Sequence, residues 1–214
     1  LGFLTAHALN RKMRGIRWIR MLMIFPYATS MTAVAMIWLM LLDPTTGLIN
    51  KTLRIMGLTG VDWLFNVKTA LPCLIFVNIW KNIGYCMLIY LAGMQSIPGD
   101  IYEAATVDGA SAPRMALRIQ IPMIKPMLKV CLSFSLIGSF KLFDTPWILL
   151  ERANKELPAL SMYVEMFSNH KYSYASAQAM FIVFECLAFT VLLNVLFKDR
   201  DDMVSRKGRR RHAA

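Results

Sequence analysis

Several residues of this 214-residue chain are of types that do chemistry, yet they lie inside long apolar runs. Asn78, Lys81 and Asn82 share one run, Asp144 closes a second, and Glu185 sits within a third. An ion exposed to hydrocarbon costs at least ~2.5–3.5 kcal/mol, so such groups face a bundle interior, pair with one another, or line a polar path. Lys81 and Glu185 fall at similar depth in their runs, which predicts that they approach each other or line such a path. The competing arrangement has Lys81 snorkelling and Glu185 protonated. Asn78 and Asn82 flank Lys81 and offer groups that bind hydroxyls, although helix–helix hydrogen bonds use the same groups. Lys141 and Asp144 are spaced to pair on a helix.

A second polar group is contiguous. "EAATVDGASAPRMALRIQIP", Glu103 to Pro122, interrupts its apolar surroundings with small residues and four charges: Glu103, Asp108, Arg114 and Arg118. Pro98 favours a helix start before it, and "DIYEAATV" supplies two turns. Gly109 then ends the helix, because glycine adopts the left-handed backbone that a stop needs. Ser111 is placed to cap a second short helix with Pro113 in its first turn. The predicted product is a compact helix–glycine–helix whose alanines admit a close partner. An ordinary connector fits the same pattern.

Other chemistries lack their residues. No G-x4-G-K-[ST] is present, so the chain has no phosphate cradle for ATP hydrolysis. Neither H-E-x-x-H nor G-x-S-x-G occurs. Cys73, Cys86, Cys131 and Cys186 all lie in apolar runs without metal-ligand spacing, and His7, His170 and His212 are scattered. No catalytic or metal-ligating residue is assigned. A membrane-embedded enzyme built on Lys81, Asp144 or Glu185 would have no nucleophile–base pair.

The elements that position these residues follow from hydropathy. The chain is 57% hydrophobic and 17% charged. Runs over about 21–42, 70–92, 126–150 and 175–197 are each long enough to cross ~30 Å of hydrocarbon. An all-α, polytopic membrane bundle over 1–198 is expected, with a cytoplasmic loop over 96–122 and a basic tail over 199–214. Basic residues mark the cytoplasmic side. Placing Arg11–Arg20 there puts sixteen Lys/Arg inside and six outside, with the C-terminus inside. The net charge of +11 is thus a topology signal rather than a nucleic-acid signal. Pro26 is expected to kink the first full span. Short helices are expected at Ile49–Met56 and around Ser161–Phe167. "LGFLTAHAL" is too short to span, and charge follows it rather than preceding it, so it is expected to be the inner end of a truncated helix.

Glu103-Ala104-Ala105, Gly109, then Ile119-x-Ile121-Pro122 resembles the EAA loop of ABC-importer permeases, EAA-x3-G-x9-I-x-L-P, with Ile121 in place of Leu. "RKMRGIRWIR", "FPYA", "DPTTGLIN", "LAGMQSIPGDIYEAATVDGAS", "FDTPWIL" and "YSYASA" resemble landmarks of the carbohydrate-type permeases, the group of the maltose transporter's larger membrane subunit. Members usually carry about two further helical segments upstream, and a Gly-Gly-Pro turn where this chain reads Leu150-Glu151-Arg152-Ala153. The resemblance implies a type I permease bundle forming half of a translocation path. It implies that Glu103, Ala104, Ala105, Asp108, Gly109, Ile119 and Pro122 couple the chain to a cytoplasmic ATPase dimer. Asn78, Lys81, Asn82, Asp144 and Glu185 are the path candidates. Expected partners are a second permease, a solute-binding protein, a sugar, and membrane lipid. ATP is used by the ATPase subunits, with no cofactor in this chain. A polyol or glycerol phosphate is the alternative cargo.

Overall fold

A computed structural model of the chain describes residues 1–10, 14–150 and 157–197, and among these every regular element is helical. The longest helix is the mast of the bundle. α5 (Val67–Gln95) is capped by Asn66, whose side chain accepts from the Lys68 N–H at 3.0 Å. Twenty-nine residues at 1.5 Å each extend about 43 Å, more than a bilayer's hydrocarbon thickness. α1 (Gly2–Leu9), α2 (Ile16–Ala28), α9 (Lys125–Phe140) and α10 (Asp144–Leu149) all pack against it.

The apolar core on this mast comes in two pieces. One gathers Ala70, Leu74 and Val77 of α5 with Val34, Leu42, Leu149 and Leu150, at the end that carries Asp43. The other gathers Met87, Leu91 and Met94 with Ala6, Ile97, Ile124 and Cys131, at the end that carries Glu103. Between them, the middle of α5 carries Asn78, Lys81, Asn82 and Tyr85, while Lys68, Thr69 and Gln95 lie at its two ends.

Two of the expected spans contain breaks. The run over 21–42 is not one helix: α2 and α3 (Met31–Leu41) meet at 98°. Pro26 removes a backbone donor, but the chain turns three residues later, where Thr29 is extended at φ −79°, ψ 149°. The run over 126–150 also divides. α9 stops at Phe140, and α10 restarts at Asp144 after an irregular Lys141–Phe143. Before α9, the helical run of α7 (Ala112–Met115), a π-helical turn at Ala116–Gln120 and α8 (Ile121–Met123) meets it at 79°. Pro122 and Pro126 flank that bend, and neither can donate a backbone bond. By length and composition, α5 and α12 (Tyr172–Leu196) can each cross a membrane; each bent pair counted as one span brings the number to four.

The Asp43 end is closed by side chains that bond to backbone. Asn50, on α4 (Leu48–Ile55), is 1% exposed. Its amide donates to the Val61 and Pro44 carbonyls at 2.8 and 3.2 Å, and its oxygen accepts from Val61 N–H and Trp63 Nε1, both at 3.0 Å. α11 (Pro158–Tyr163) and the π-helical turn after it occupy the region where a short helix is expected. α12 packs on α9 and α11 and leaves a broad apolar face bare, including Phe181, Phe184 and Leu187.

Candidate functional site

At the Glu103 end, α6 (Gly99–Val107) starts after Pro98, and its own backbone chemistry ends it. Gly109 has φ 70°. Its N–H donates to the Thr106 carbonyl at 3.0 Å, and the Ala110 N–H donates back to Ala105 at 2.9 Å. This is a complete Schellman motif, which satisfies the last carbonyls of a helix at the cost of one left-handed residue. Ser111 then caps α7 by backbone position alone; its side chain makes no capping bond.

The face of α6 turned away from the bundle carries Glu103, Ala104, Thr106, Val107 and Asp108, all exposed. Val107 is 88% exposed and stands at the tip. Sequence reasoning did not single it out, although an apolar residue between two polar ones before a glycine stop was the available signal. Ala105 does not belong to this surface. It is 7% exposed and packs inward, because it lies on the opposite side of the same helix from Glu103 and Val107. Ile119 is half-buried within the π-helical turn, and Pro122 is exposed. Two long-range bonds hold α6 and the following turn to the bundle. Tyr102 Oη donates to the Met94 carbonyl at 3.2 Å, and His7 Nδ1 shares a 2.7 Å bond with the buried Gln120 Oε1.

Halfway along α5, a cleft of about 670 Å³ opens between α5, α9 and the junction of α2 with α3. Asn78, Asn82, Ser135 and Ser139 contribute amides and hydroxyls to its wall. Asn82 Nδ2 donates to Asn78 Oδ1 at 2.6 Å and to the Asn78 carbonyl at 2.9 Å, one turn apart on the same helix face. Tyr27 stacks on Tyr85 with centroids 4.7 Å apart and planes 15° apart, and Phe134 meets Tyr85 edge-on. None of the described residues lining this cleft is a Lys, Arg, Asp or Glu side chain. Tyr85 continues the Asn78–Asn82 stripe at the next helical repeat. That i, i+4, i+7 pattern was legible in the sequence; Tyr27, on another helix, was not.

The ionisable path candidates are not brought together. Lys81 does not pair with Glu185: its Nζ donates to the carbonyls of Pro26, Tyr27 and Thr29 at 3.1, 3.4 and 2.6 Å. Glu185 lies half-buried on α12, with Oε2 buried and unbonded among the described residues. Asp144 is exposed at the start of α10 and forms no ion pair with Lys141, since the chain leaves helix between them. The basic tail over 199–214, with Arg11, Lys12 and Arg152, lies outside the described residues.

Comparison with known proteins agrees with this arrangement. Residues 1–207 match the family described as binding-protein-dependent transport system inner membrane component. The probable ABC transporter permease protein YurN of Bacillus subtilis is 31% identical over 92% of this chain and 70% of its own. The trehalose/maltose transport system permease protein MalF of Thermococcus litoralis is 34% identical over 70% of this chain and 50% of its own. Among solved structures, a chain of a bacterial alginate ABC transporter, crystallised with its alginate pentasaccharide-bound periplasmic protein, superposes with a TM-score of 0.84. It is 27% identical, and the match covers 92% of this chain and 70% of that one.

Proposed function

We propose a sugar-import mechanism for this chain, which belongs to the binding-protein-dependent transport system inner membrane components. It is a permease subunit; the cleft on α5 is its half of the sugar path, and α6 is where a separate ATPase engages it. The carrying observation is that one helix joins the two. α5 bears Asn78, Asn82 and Tyr85 in its middle, and its end is tied directly to α6 through Tyr102 and Met94. ATP-driven closure of a cytoplasmic ATPase dimer would displace α6, tilt α5, and turn the cleft from one side of the membrane to the other by rigid-body motion. ATP serves the partner subunits, and this chain supplies no cofactor.

The cleft's chemistry favours a neutral polyhydroxyl cargo. Amides and hydroxyls exchange hydrogen bonds with sugar hydroxyls, and aromatic faces accept the apolar faces of pyranose rings. A phosphate ester calls for Arg or Lys; the described lining offers none, and Lys81 spends its three donors on carbonyls. Trehalose/maltose is named for one of the relatives described above. The cytoplasmic side carries α6 and the C-terminus, as the Lys/Arg distribution requires. A solute-binding protein meets the Asp43 end, and a second permease covers part of the bare face of α12, with lipid covering the rest. Membrane enzymology finds no support, because Lys81, Asp144 and Glu185 do not converge.

Co-expression with the companion subunits and reconstitution in proteoliposomes tests this reading. ATP-dependent uptake of labelled mono- or disaccharides, abolished by Glu103→Ala without loss of the folded chain, is expected. Uptake of glycerol 3-phosphate but of no sugar contradicts it.

A further inference from the structure

Lys81 is only 7% exposed and lies in the polar middle of α5, where a charge finds few uses. Its neighbour one turn on, Gly84, is where α2 touches α5 backbone to backbone. A Cβ built on Gly84 would collide with the Met23 carbonyl oxygen. Gly84 and Lys81 share a face of α5 at i, i+3 spacing, and α2 runs antiparallel along that face, with Met23 over Gly84 and Pro26 over Lys81. At this point α2 ends, with Pro26 buried against α5 and Tyr27 and Ala28 exposed.

A helix that ends there leaves its last carbonyls without backbone donors. In water these would be solvated; in a membrane interior each orphan costs free energy comparable to a lost hydrogen bond or more. The end of α2 meets that demand locally and remotely. Thr29 Oγ1 donates to the Phe25 carbonyl at 3.0 Å, and the Thr29 N–H donates to Pro26 at 3.3 Å. Lys81 Nζ then reaches the Pro26, Tyr27 and Thr29 carbonyls. An ammonium has three donors and no acceptor, so all three are used, two on α2 carbonyls and one on Thr29 just beyond the helix.

We propose that Lys81 is a positioning residue: an intramembrane C-cap that holds the 98° bend between α2 and α3 and, through it, sets Tyr27 against Tyr85 in the cleft wall. Tyr27 lies inside the clasped segment, its carbonyl on Lys81 and its ring on Tyr85. The ion is thereby used to fix shape, and the cleft beside it stays free of charge. Gly84 permits the approach and Lys81 secures it. The consequence for the cleft wall rests on the transport reading given above; the clasp at the bend does not.

The test reads the bend itself. Spin labels are placed at Trp18→Cys on α2 and Met36→Cys on α3, both exposed positions. The four native cysteines are replaced by alanine, and the chain is reconstituted with its companion subunits in lipid nanodiscs. Electron–electron distance measurements on the Lys81 parent are expected to give one narrow distribution. Lys81→Met, similar in length but without donors, is expected to broaden it and add a longer component as the bend relaxes, while Lys81→Arg keeps it narrow. A Lys81→Met distribution identical to that of the parent overturns the proposal. So does broadening by Arg but not Met, which would mark Lys81 as a space-filler. If Lys81→Met does not assemble, Lys81→Gln is measured instead: a partial longer component supports the cap, and an unchanged distribution overturns it. Because no sugar is involved, failed uptake with an intact bend would count against the transport reading alone.

Discussion

The chain turns sharply at the end of α6 and again at the end of α2, and the two turns are built in opposite ways. At α6, the bonds that close the turn reach three to five residues back, from Asp108, Gly109 and Ala110 to Ala104, Thr106 and Ala105. At α2, three of the closing bonds come from Lys81, 52 to 55 positions away. The first turn faces solvent and keeps its shape through its own backbone. The second adds to two local bonds from Thr29 the three that Lys81 brings from α5. A docking element that meets a separate subunit gains from being self-sufficient. A cleft wall that must move with the mast gains from being fastened to it.

The sharpest way to break the contrast is at Gly84. Gly84→Ala places a methyl group against the Met23 carbonyl, and overpacking of this kind costs about 3 kcal/mol when the opposing group is backbone. Thermal unfolding in detergent should show a large loss, with the Tyr27–Tyr85 contact affected first. Asn50 is an intermediate case, with partners up to 13 positions away. Asn50→Ala leaves the Val61 N–H and the Trp63 indole without their acceptor, at about 2 kcal/mol, and the same assay should register it. Gly109→Ala forces a side chain into the left-handed region and costs about 1 kcal/mol. Gly109→Asn should cost less, and both should leave the α2 bend untouched.

The smallest effect is expected at Asp43. Its Oδ1 accepts from the Thr45 and Thr46 N–H groups and from both hydroxyls. These bonds, the Thr46 backbone N–H foremost, hold the carboxyl well below the ordinary carboxylate range. A lowered folded pKa contributes stability that is fully present above the unfolded value of about 3.9 and is lost as pH falls further. Melting temperature should therefore show no Asp43-dependent change between pH 7 and pH 5. A small decline that is absent in Asp43→Asn should begin only below about pH 4.

The same division explains what could be read from the sequence. Gly109, Pro98, Ser111 and α4 were legible because propensity and spacing act over a few residues. The resemblance on Glu103 to Pro122 carried the partner that physics could not. Which side of α6 meets the bundle was not legible, because the motif says which residues recur and not that the Ala105 side chain packs inward. For Lys81, depth along a helix was the only long-range coordinate available, and it could not decide between an approach to Glu185, a polar path and a snorkelling side chain. The true acceptors are backbone carbonyls, which every residue has and no sequence pattern marks. The 98° bend itself was half-visible: Pro26 signalled a weakness, while the position of the turn depended on where Lys81 arrives.

On the reading proposed above, the exposed face of α6 meets a separate ATPase subunit. A photo-crosslinking amino acid at Val107, the tip of that face, tests it in the co-expressed transporter. Ile55, which is equally exposed on α4 at the opposite end, is the control. An adduct with the ATP-binding subunit at position 107, absent at position 55, is predicted. No ATPase adduct at 107, or equal adducts at both positions, would rule out this face as the ATPase contact.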